Sequence, residues 1–187
     1  MRNKMNAFIF HGTAGYPEEN WFPWLKQELE KIGCTTIVPQ FPTPQNQTLE
    51  NWFTIFSQYE RHFNENTILI GHSLGGVFLL RVLEKYHHKI KAALLVGTPI
   101  GILPIKNYEG DKLFLAKPFN WEKIRKSCDT FFVYHSNNDP YVCVENGEEL
   151  AKQLHTKLTF VENAGHFNKA AGYLKFEDLL RKIKSLQ

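Results

Sequence analysis

Cysteine and long apolar stretches are both scarce in this chain of 187 residues. Its three cysteines, Cys34, Cys128 and Cys143, are odd in number and widely separated, which excludes a disulfide framework and gives no zinc-binding spacing. No apolar run approaches the roughly 20 residues that a membrane-spanning helix needs. The first residues show no apolar segment typical of a secretory signal. We therefore expect a cytoplasmic protein, in the reducing compartment where unpaired thiols are usual.

A large excess of charge is also missing. The chain has 22 basic and 19 acidic side chains, a net charge of +3, and its basic residues are scattered. Nucleic-acid binding needs a basic patch, so we expect no nucleic-acid partner, and the lack of an apolar span argues against a membrane partner. A hydrophobic content of 43% is ordinary for a globular protein, and the length suits one domain over residues 1–187. The oligomeric state stays open.

What the chain does contain is an alternation of short apolar segments and amphipathic stretches. This alternation predicts an α/β fold, with a mostly parallel sheet of about six strands and helices on both faces. An aromatic stripe predicts one long helix over residues 49–63, and residues 98–120 have several helix breakers and predict a loop or small excursion over the site. The six predicted strands lie at residues 7–10, 35–38, 68–70, 92–96, 131–135 and 157–161.

The most informative motif is Gly71-His72-Ser73-Leu74-Gly75, a G-x-S-x-G between a predicted strand and an apolar helical run. Strand, sharp turn and helix together are typical of a nucleophile elbow. The two glycines remove side chains that would collide across the turn. The hydroxyl of Ser73 would then stand above the sheet at the positive N-terminal end of the helix, which makes Ser73 the candidate nucleophile.

Candidates for a catalytic acid and base follow the later strands. Asp139 comes just after the strand predicted at residues 131–135, and His166 lies in the loop after the strand at 157–161. Sites in open parallel sheets form at the carboxyl ends of strands, and the chain order Ser, Asp, His is that of α/β-hydrolases. We interpret His166 as the base for the Ser73 proton and Asp139 as the carboxylate that orients it. Asp129 lies at the opposite end of its strand and is not expected to take part.

A serine hydrolase also needs backbone donors for the oxyanion that forms during acyl transfer. The N–H of Leu74, directly after the nucleophile, is one candidate. The N–H of Thr13, in the loop after the first strand, is the other, and Gly12 allows that loop to approach closely.

The remaining histidines of the chain do not indicate a metal site. None of the eight has metal-ligand spacing with a carboxylate or cysteine cluster, so neither a metal nor a cofactor is implied. His11 and His72 lie beside the expected site, where we predict that they shape the loops rather than ionise in catalysis. His87 and His88 are predicted to close the helix after the elbow.

Five segments spread along the chain carry a resemblance to a known family. They are His11-Gly12, Trp21-Phe22-Pro23-Trp24-Leu25, the elbow at residues 71–75, Asn138-Asp139-Pro140 and Gly165-His166-Phe167. Taken together, they resemble small serine hydrolases of the α/β-hydrolase superfamily related to YdeN and retinoblastoma-binding protein 9, over nearly the whole chain. The resemblance implies a compact domain without a large cap, a Ser73–Asp139–His166 triad, and hydrolysis of esters or similar acyl compounds.

These observations favour a serine hydrolase, and most of all a carboxylesterase that cleaves a small acyl ester through an acyl-enzyme. A non-catalytic binding or regulatory protein on a hydrolase scaffold is one alternative, although such a protein has no need for all three triad groups. An amidase or peptidase is the other, and the sequence does not separate it from an esterase. Four apolar side chains are predicted to roof a small pocket, Ile102, Leu103, Phe114 and Phe119.

Overall fold

A computed structural model of the protein describes residues 5–86 and 88–186. Within these residues the fold is a six-stranded sheet in the order β2-β1-β3-β4-β5-β6, and every neighbouring pair of strands is parallel. The predicted α/β fold is therefore confirmed, and no cap domain lies over the described part of the sheet. The strands are β1 Asn6–Phe10, β2 Thr35–Ile37, β3 Thr67–His72, β4 Ile90–Val96, β5 Cys128–His135 and β6 Leu158–Phe160.

The described residues form seven α-helices, of which six lie between strands and the last follows β6. They are α1 Phe22–Lys31, α2 Leu49–Ser57, α3 Leu74–Lys85, α4 Tyr108–Leu115, α5 Trp121–Lys126, α6 Val144–Gln153 and α7 Glu177–Lys184. Among the described residues, no helix has the length and apolarity needed to cross a bilayer.

The central strands are nearly continuous apolar runs because helices cover both of their faces. Alternate residues of β1 show this arrangement: Phe8 and Phe10 pack into one apolar cluster, whereas Ala7 and Ile9 pack into another on the opposite face. Helices α2, α3, α5 and α6 contribute to the first cluster, and α1 and α7 to the second. The carboxyl ends of β1, β3, β4 and β5 are thereby brought to one edge of a sheet whose central strands β1 and β3 are buried throughout.

Two predictions about the helices were wrong. The stretch 98–120 contains α4, whose buried residues are Asp111 and Phe114. Asp111 occupies a buried position of α4 where a helix usually has an apolar side chain, so the apolar periodicity that predicts a helix is weak in this stretch. The helix predicted over 49–63 ends at Ser57 and is followed by a 3₁₀ turn at Glu60–His62.

The helix after the elbow ends earlier than predicted. Its last residue is Lys85, and His88 lies beyond it, while His87 falls outside the described residues.

The predicted apolar roof does not form as expected. Phe114 is fully buried, with its ring centroid 4.9 Å from that of Trp52, so it belongs to the core rather than to a pocket wall. Leu103 is 61% exposed, and Phe119 packs on Trp121 with a centroid separation of 4.9 Å.

Candidate active site

Ser73 occupies a sharp turn between β3 and α3. Its φ of 54° and ψ of −124° lie in a region that is costly for a residue with a side chain and that is found mainly at functional sites. The turn closes only because its flanking residues are glycines. A Cβ on Gly71 would lie 2.5 Å from the Cα of Gly76, and one on Gly75 would overlap the carbonyl oxygen of Phe10. The strand–turn–helix arrangement of a nucleophile elbow is thus present around Ser73.

The end of β4 lies between Ser73 and His166. The Ser73 N–H donates to the carbonyl oxygen of Val96 at 2.8 Å, which ties the elbow to the last residue of β4. The next residue, Gly97, has a φ of 55°, and a Cβ there would lie 3.1 Å from Nδ1 of His166 and 3.4 Å from Oδ2 of Asp139. Gly97 therefore provides the room in which the His166–Asp139 pair approaches the elbow.

His72 supplies a second connection between the elbow and the His166 loop. Its Nε2 lies 2.7 Å from the carbonyl oxygen of His166, and the two ring centroids are 4.7 Å apart. Burial lowers the pKa of His72 to about 3, and the nearby His166 adds to the effect, so the ring is neutral at pH 7. A neutral His72 donates its Nε2–H to that carbonyl and holds the loop, as expected for a loop-shaping residue.

His166 and Asp139 are in direct contact. Nδ1 of His166 lies 2.7 Å from Oδ2 of Asp139, and both side chains are almost completely buried. The other carboxylate oxygen, Oδ1, accepts the N–H groups of Tyr141 at 2.9 Å and Val142 at 3.1 Å.

The balance of forces on Asp139 favours its charged form. Burial by itself raises the pKa of the carboxyl, but the hydrogen bond and charge of His166 and the two backbone N–H groups outweigh burial, so the pKa lies below its ordinary value. An ionised Asp139 accepts the hydrogen bond that the Nδ1–H of His166 donates. In that tautomer the free lone pair of the ring lies on Nε2, the atom that a general base would use.

Three side chains in the polar run before Asp139 connect the loop of Asp139 to the loop of His166. Ser136 Oγ accepts the N–H of Ala164 at 3.0 Å, Asn138 Oδ1 accepts that of Gly165 at 2.7 Å, and Asn137 Oδ1 accepts that of Asn163 at 2.7 Å. The polar run before Asp139 is visible in the sequence, but its partners, 26 to 28 residues away, are not.

The loop after β1 passes directly beside the nucleophile. A Cβ on Gly12 would lie 2.9 Å from the Cβ of Ser73 and 3.4 Å from its Oγ. In this loop the N–H of Ala14 donates to Oγ1 of Thr43 at 2.7 Å, and that of Gly15 donates to the carbonyl oxygen of Gly12 at 3.1 Å. These contacts leave the Thr13 N–H as the candidate donor on this side of Ser73.

Leu74 is the first residue of α3, and the first N–H groups of a helix have no acceptor within it. Its N–H, adjacent to Ser73, is therefore the candidate donor on the other side of the nucleophile.

His11 fixes the start of the same loop. Its Nε2 accepts the N–H of Phe41 at 2.9 Å, and its Nδ1 lies 2.9 Å from the carbonyl oxygen of Gly12. Burial lowers the pKa of this fully buried ring, so it is neutral and its Nδ1–H donates to Gly12. In the described part of the chain, no cluster of three or more histidine, cysteine, aspartate or glutamate side chains could hold a metal ion.

Comparison with known proteins places this geometry in a family. The family model described as serine hydrolase matches residues 7–185. The chain belongs to the serine hydrolase family. A curated relative of this serine hydrolase, RBBP9 of Rattus norvegicus, itself described as a serine hydrolase, is 30% identical over 189 residues, covering 100% of this chain and 97% of its own length.

Bacterial relatives of this serine hydrolase are equally similar. YdeN of Bacillus subtilis (strain 168) is 31% identical over 169 residues, with 89% of this chain and 88% of its own covered. The crystal structure of the ydeN gene product from B. subtilis superimposes with a TM-score of 0.89 at 29% identity, covering 98% of each chain. The predicted resemblance and the α/β-hydrolase fold are both confirmed.

Proposed function

We propose that this serine hydrolase is a carboxylesterase that cleaves small acyl esters through Ser73, His166 and Asp139. The observation that supports it most strongly is the buried hydrogen bond of 2.7 Å between His166 Nδ1 and Asp139 Oδ2, beside a serine at a strained elbow. A serine hydroxyl is a weak nucleophile until a base takes its proton, and this pair supplies a base whose orientation and tautomer are fixed.

The proposed reaction has two halves. His166 Nε2 accepts the Ser73 proton while Oγ attacks the carbonyl carbon, and the tetrahedral intermediate collapses as His166 gives the proton to the leaving alkoxide. An acyl-enzyme on Ser73 and a free alcohol result. His166 then takes a proton from water, whose oxygen attacks the acyl carbon, and collapse returns the proton to Ser73 and releases the acid. Asp139 stays ionised and stabilises the imidazolium in both halves.

Each tetrahedral intermediate carries a negative oxygen that needs fixed donors. We assign this role to the backbone N–H groups of Leu74 and Thr13. Leu74 is at the N terminus of α3, where the helix dipole also favours negative charge, and Gly12 brings the Thr13 loop against Ser73.

A small-molecule acyl substrate is part of this proposal. Residues 98–120 form one short helix and its connections rather than a separate lid, so nothing in the described fold resembles the mobile cover of an interfacial lipase. We also propose a cytoplasmic location, supported by the sparse and scattered cysteines.

Hydrolysis of p-nitrophenyl acetate, butyrate and octanoate by the purified protein, together with Ser73→Ala, tests the proposal. We expect turnover of the short esters, a decline with chain length, and no hydrolysis above background by a folded Ser73→Ala. Faster turnover of p-nitroanilide amides than of the matched esters would make the protein an amidase. Inactivity of the folded wild type on every ester and amide would favour the alternative of a non-catalytic binding or regulatory protein.

A further inference from the structure

A buried carboxylate on α4 lies against the loop of Thr13. Asp111 is only 2% exposed. Within the described residues no Lys, Arg or His forms an ion pair with its side chain. Its Oδ1 accepts hydrogen bonds from Oγ1 of Thr13 at 2.5 Å and from Nε2 of Gln47 at 2.9 Å. Burial of a carboxylate without a cation is costly, and the two hydrogen bonds to Oδ1 offset part of that cost.

The hydrogen bonds around Asp111 form a chain that begins and ends on the same loop. Gln47, which is 7% exposed, accepts a hydrogen bond from Oγ1 of Thr43 through its Oε1. Thr43 Oγ1 in turn accepts the N–H of Ala14 at 2.7 Å. We call Thr13, Ala14, Thr43, Gln47 and Asp111 the Asp111 network. Its hydrogen bonds hold the loop after β1 at two consecutive residues, through the side chain of Thr13 and the backbone N–H of Ala14.

The loop that the Asp111 network holds has an unfavourable backbone conformation. Ala14 has a φ of 57°, a left-handed conformation that is unfavourable for alanine and persists only when its surroundings impose it. The residue before Thr13 is Gly12, which has no room for a side chain against Ser73. The Thr13 N–H therefore lies between a steric contact on one side and the Asp111 network on the other.

We propose that Asp111 is a positioning residue that holds the Thr13 N–H where the oxyanion forms. The inference rests on the proposed function, because it assigns Asp111 a task in that same reaction. Oxyanion donors accelerate acyl transfer only if they are fixed before charge develops, and displacement of a group by about 1 Å can cost a rate factor on the order of 10². The loss of the Asp111–Thr13 contact should consequently lower kcat more than it changes KM.

A double-mutant cycle on p-nitrophenyl acetate hydrolysis tests this inference. Thr13→Val removes the hydroxyl at nearly constant shape, Asp111→Leu removes the acceptor, and the third variant combines both. We expect each single variant to lower kcat by roughly 10- to 100-fold with KM within about twofold, since one oxyanion donor is displaced. The combined variant should be no slower than the slower single one, because both changes break the same contact.

Two further variants separate positioning from general stability. Asp111→Asn keeps an acceptor oxygen and should recover most of the kcat lost in Asp111→Leu. Glu109→Gln removes a carboxylate from the exposed side of the same helix, where Glu109 pairs with Lys112, and should leave kcat and the melting temperature unchanged. The melting temperature of every variant is recorded alongside its kinetics.

The outcomes are distinguishable. If the wild type hydrolyses no acyl compound, the proposed function fails and this inference with it. If the wild type is active and folded Asp111→Leu matches its kcat, or if the effects of Thr13→Val and Asp111→Leu simply add, the positioning role alone is wrong. Thr13 is only half-buried, so Thr13→Val decides the matter if Asp111→Leu does not fold: a wild-type kcat in Thr13→Val would overturn the inference.

Discussion

Close packing of backbone shapes the turn at Ser73 and its contact with Gly12, whereas hydrogen bonds to side-chain acceptors hold the loops of Asp139 and His166. Around Ser73, the glycines at positions 12, 71 and 75 leave no space for a Cβ. Around His166, the side chains of Ser136, Asn137, Asn138 and Asp139 accept backbone N–H groups. The turn at Ser73 should therefore be sensitive to added atoms, and the loops of Asp139 and His166 to the loss of acceptors.

The largest effect is expected at Asp139. Asp139→Asn keeps the shape of the side chain but removes the charge that stabilises the His166 imidazolium, so kcat should fall by roughly 10²–10⁴-fold in a folded protein. Asp129→Asn is the matched control, because Asp129 is exposed near the start of β5 and pairs with Lys89. The measurement is kcat for both variants and the wild type in steady-state hydrolysis of p-nitrophenyl acetate. Loss of activity in Asp129→Asn but not in Asp139→Asn would show that the acid is misassigned.

A single added methyl group tests the contact of Gly12 with Ser73. Gly12→Ala would place a Cβ 2.9 Å from that of Ser73, so the loop must move away, and kcat should fall by roughly 10- to 100-fold. Gly110→Ala makes the same change in α4, where the nearest atom to the new Cβ, Nε2 of Gln47, is 3.9 Å away in ordinary contact, and should change kcat far less. Equal kcat values for the two variants would mean that close packing does not hold the loop beside Ser73.

The connection between the loops of Asp139 and His166 should have a smaller effect. Asn138→Leu removes the acceptor for the N–H of Gly165, next to His166, and should lower kcat about fivefold, the equivalent of one hydrogen bond. Asn137→Leu breaks the contact to Asn163, three residues from His166, and should cost less. The comparison is made from kcat at saturating ester. If Asn137→Leu is the slower variant, proximity to His166 is not what matters in this connection.

The smallest effect concerns stability and pH. Because the pKa of buried His72 is lowered to about 3, the unfolded state binds the proton more strongly, and the stabilisation present above about pH 6.5 is lost as the pH falls below it. Between pH 7.5 and 5.5 this loss amounts to about 1 kcal/mol. Urea unfolding at both pH values measures the decrease in the free energy of unfolding between pH 7.5 and 5.5. In His72→Gln this decrease should be smaller by that amount. The exposed control His155→Gln should behave as the wild type, and an unchanged decrease in His72→Gln would mean that His72 is not buried in its neutral form.

Local rules were sufficient to predict the elbow from the sequence. The turn at Ser73 depends on glycines within two residues and on the strand and helix that flank it, all of which lie in one short segment. Asp139 and His166 were predicted as candidates because both follow β-strands, and parallel strands bring their carboxyl ends to one edge. The structure adds their direct contact of 2.7 Å.

Contacts between distant segments could not be predicted in the same way. Helix α4 was missed because Asp111 occupies its buried face and Gly110 interrupts it, so its apolar periodicity is weak. The partner of Asp111 in the loop after β1 is Thr13, 98 residues away, and nothing in either segment alone indicates the other. Such contacts depend on the completed fold rather than on local propensity.

The central claim, that Ser73 is an activated nucleophile, is tested most directly by reaction with a fluorophosphonate. The wild type should gain the mass of one phosphonyl group, and peptide mapping should locate it on Ser73 alone, because the reagent needs an activated serine beside oxyanion donors. Ser73→Ala should gain no mass under the same conditions. A folded wild type that stays unmodified, or that carries the adduct on another residue, would contradict the account.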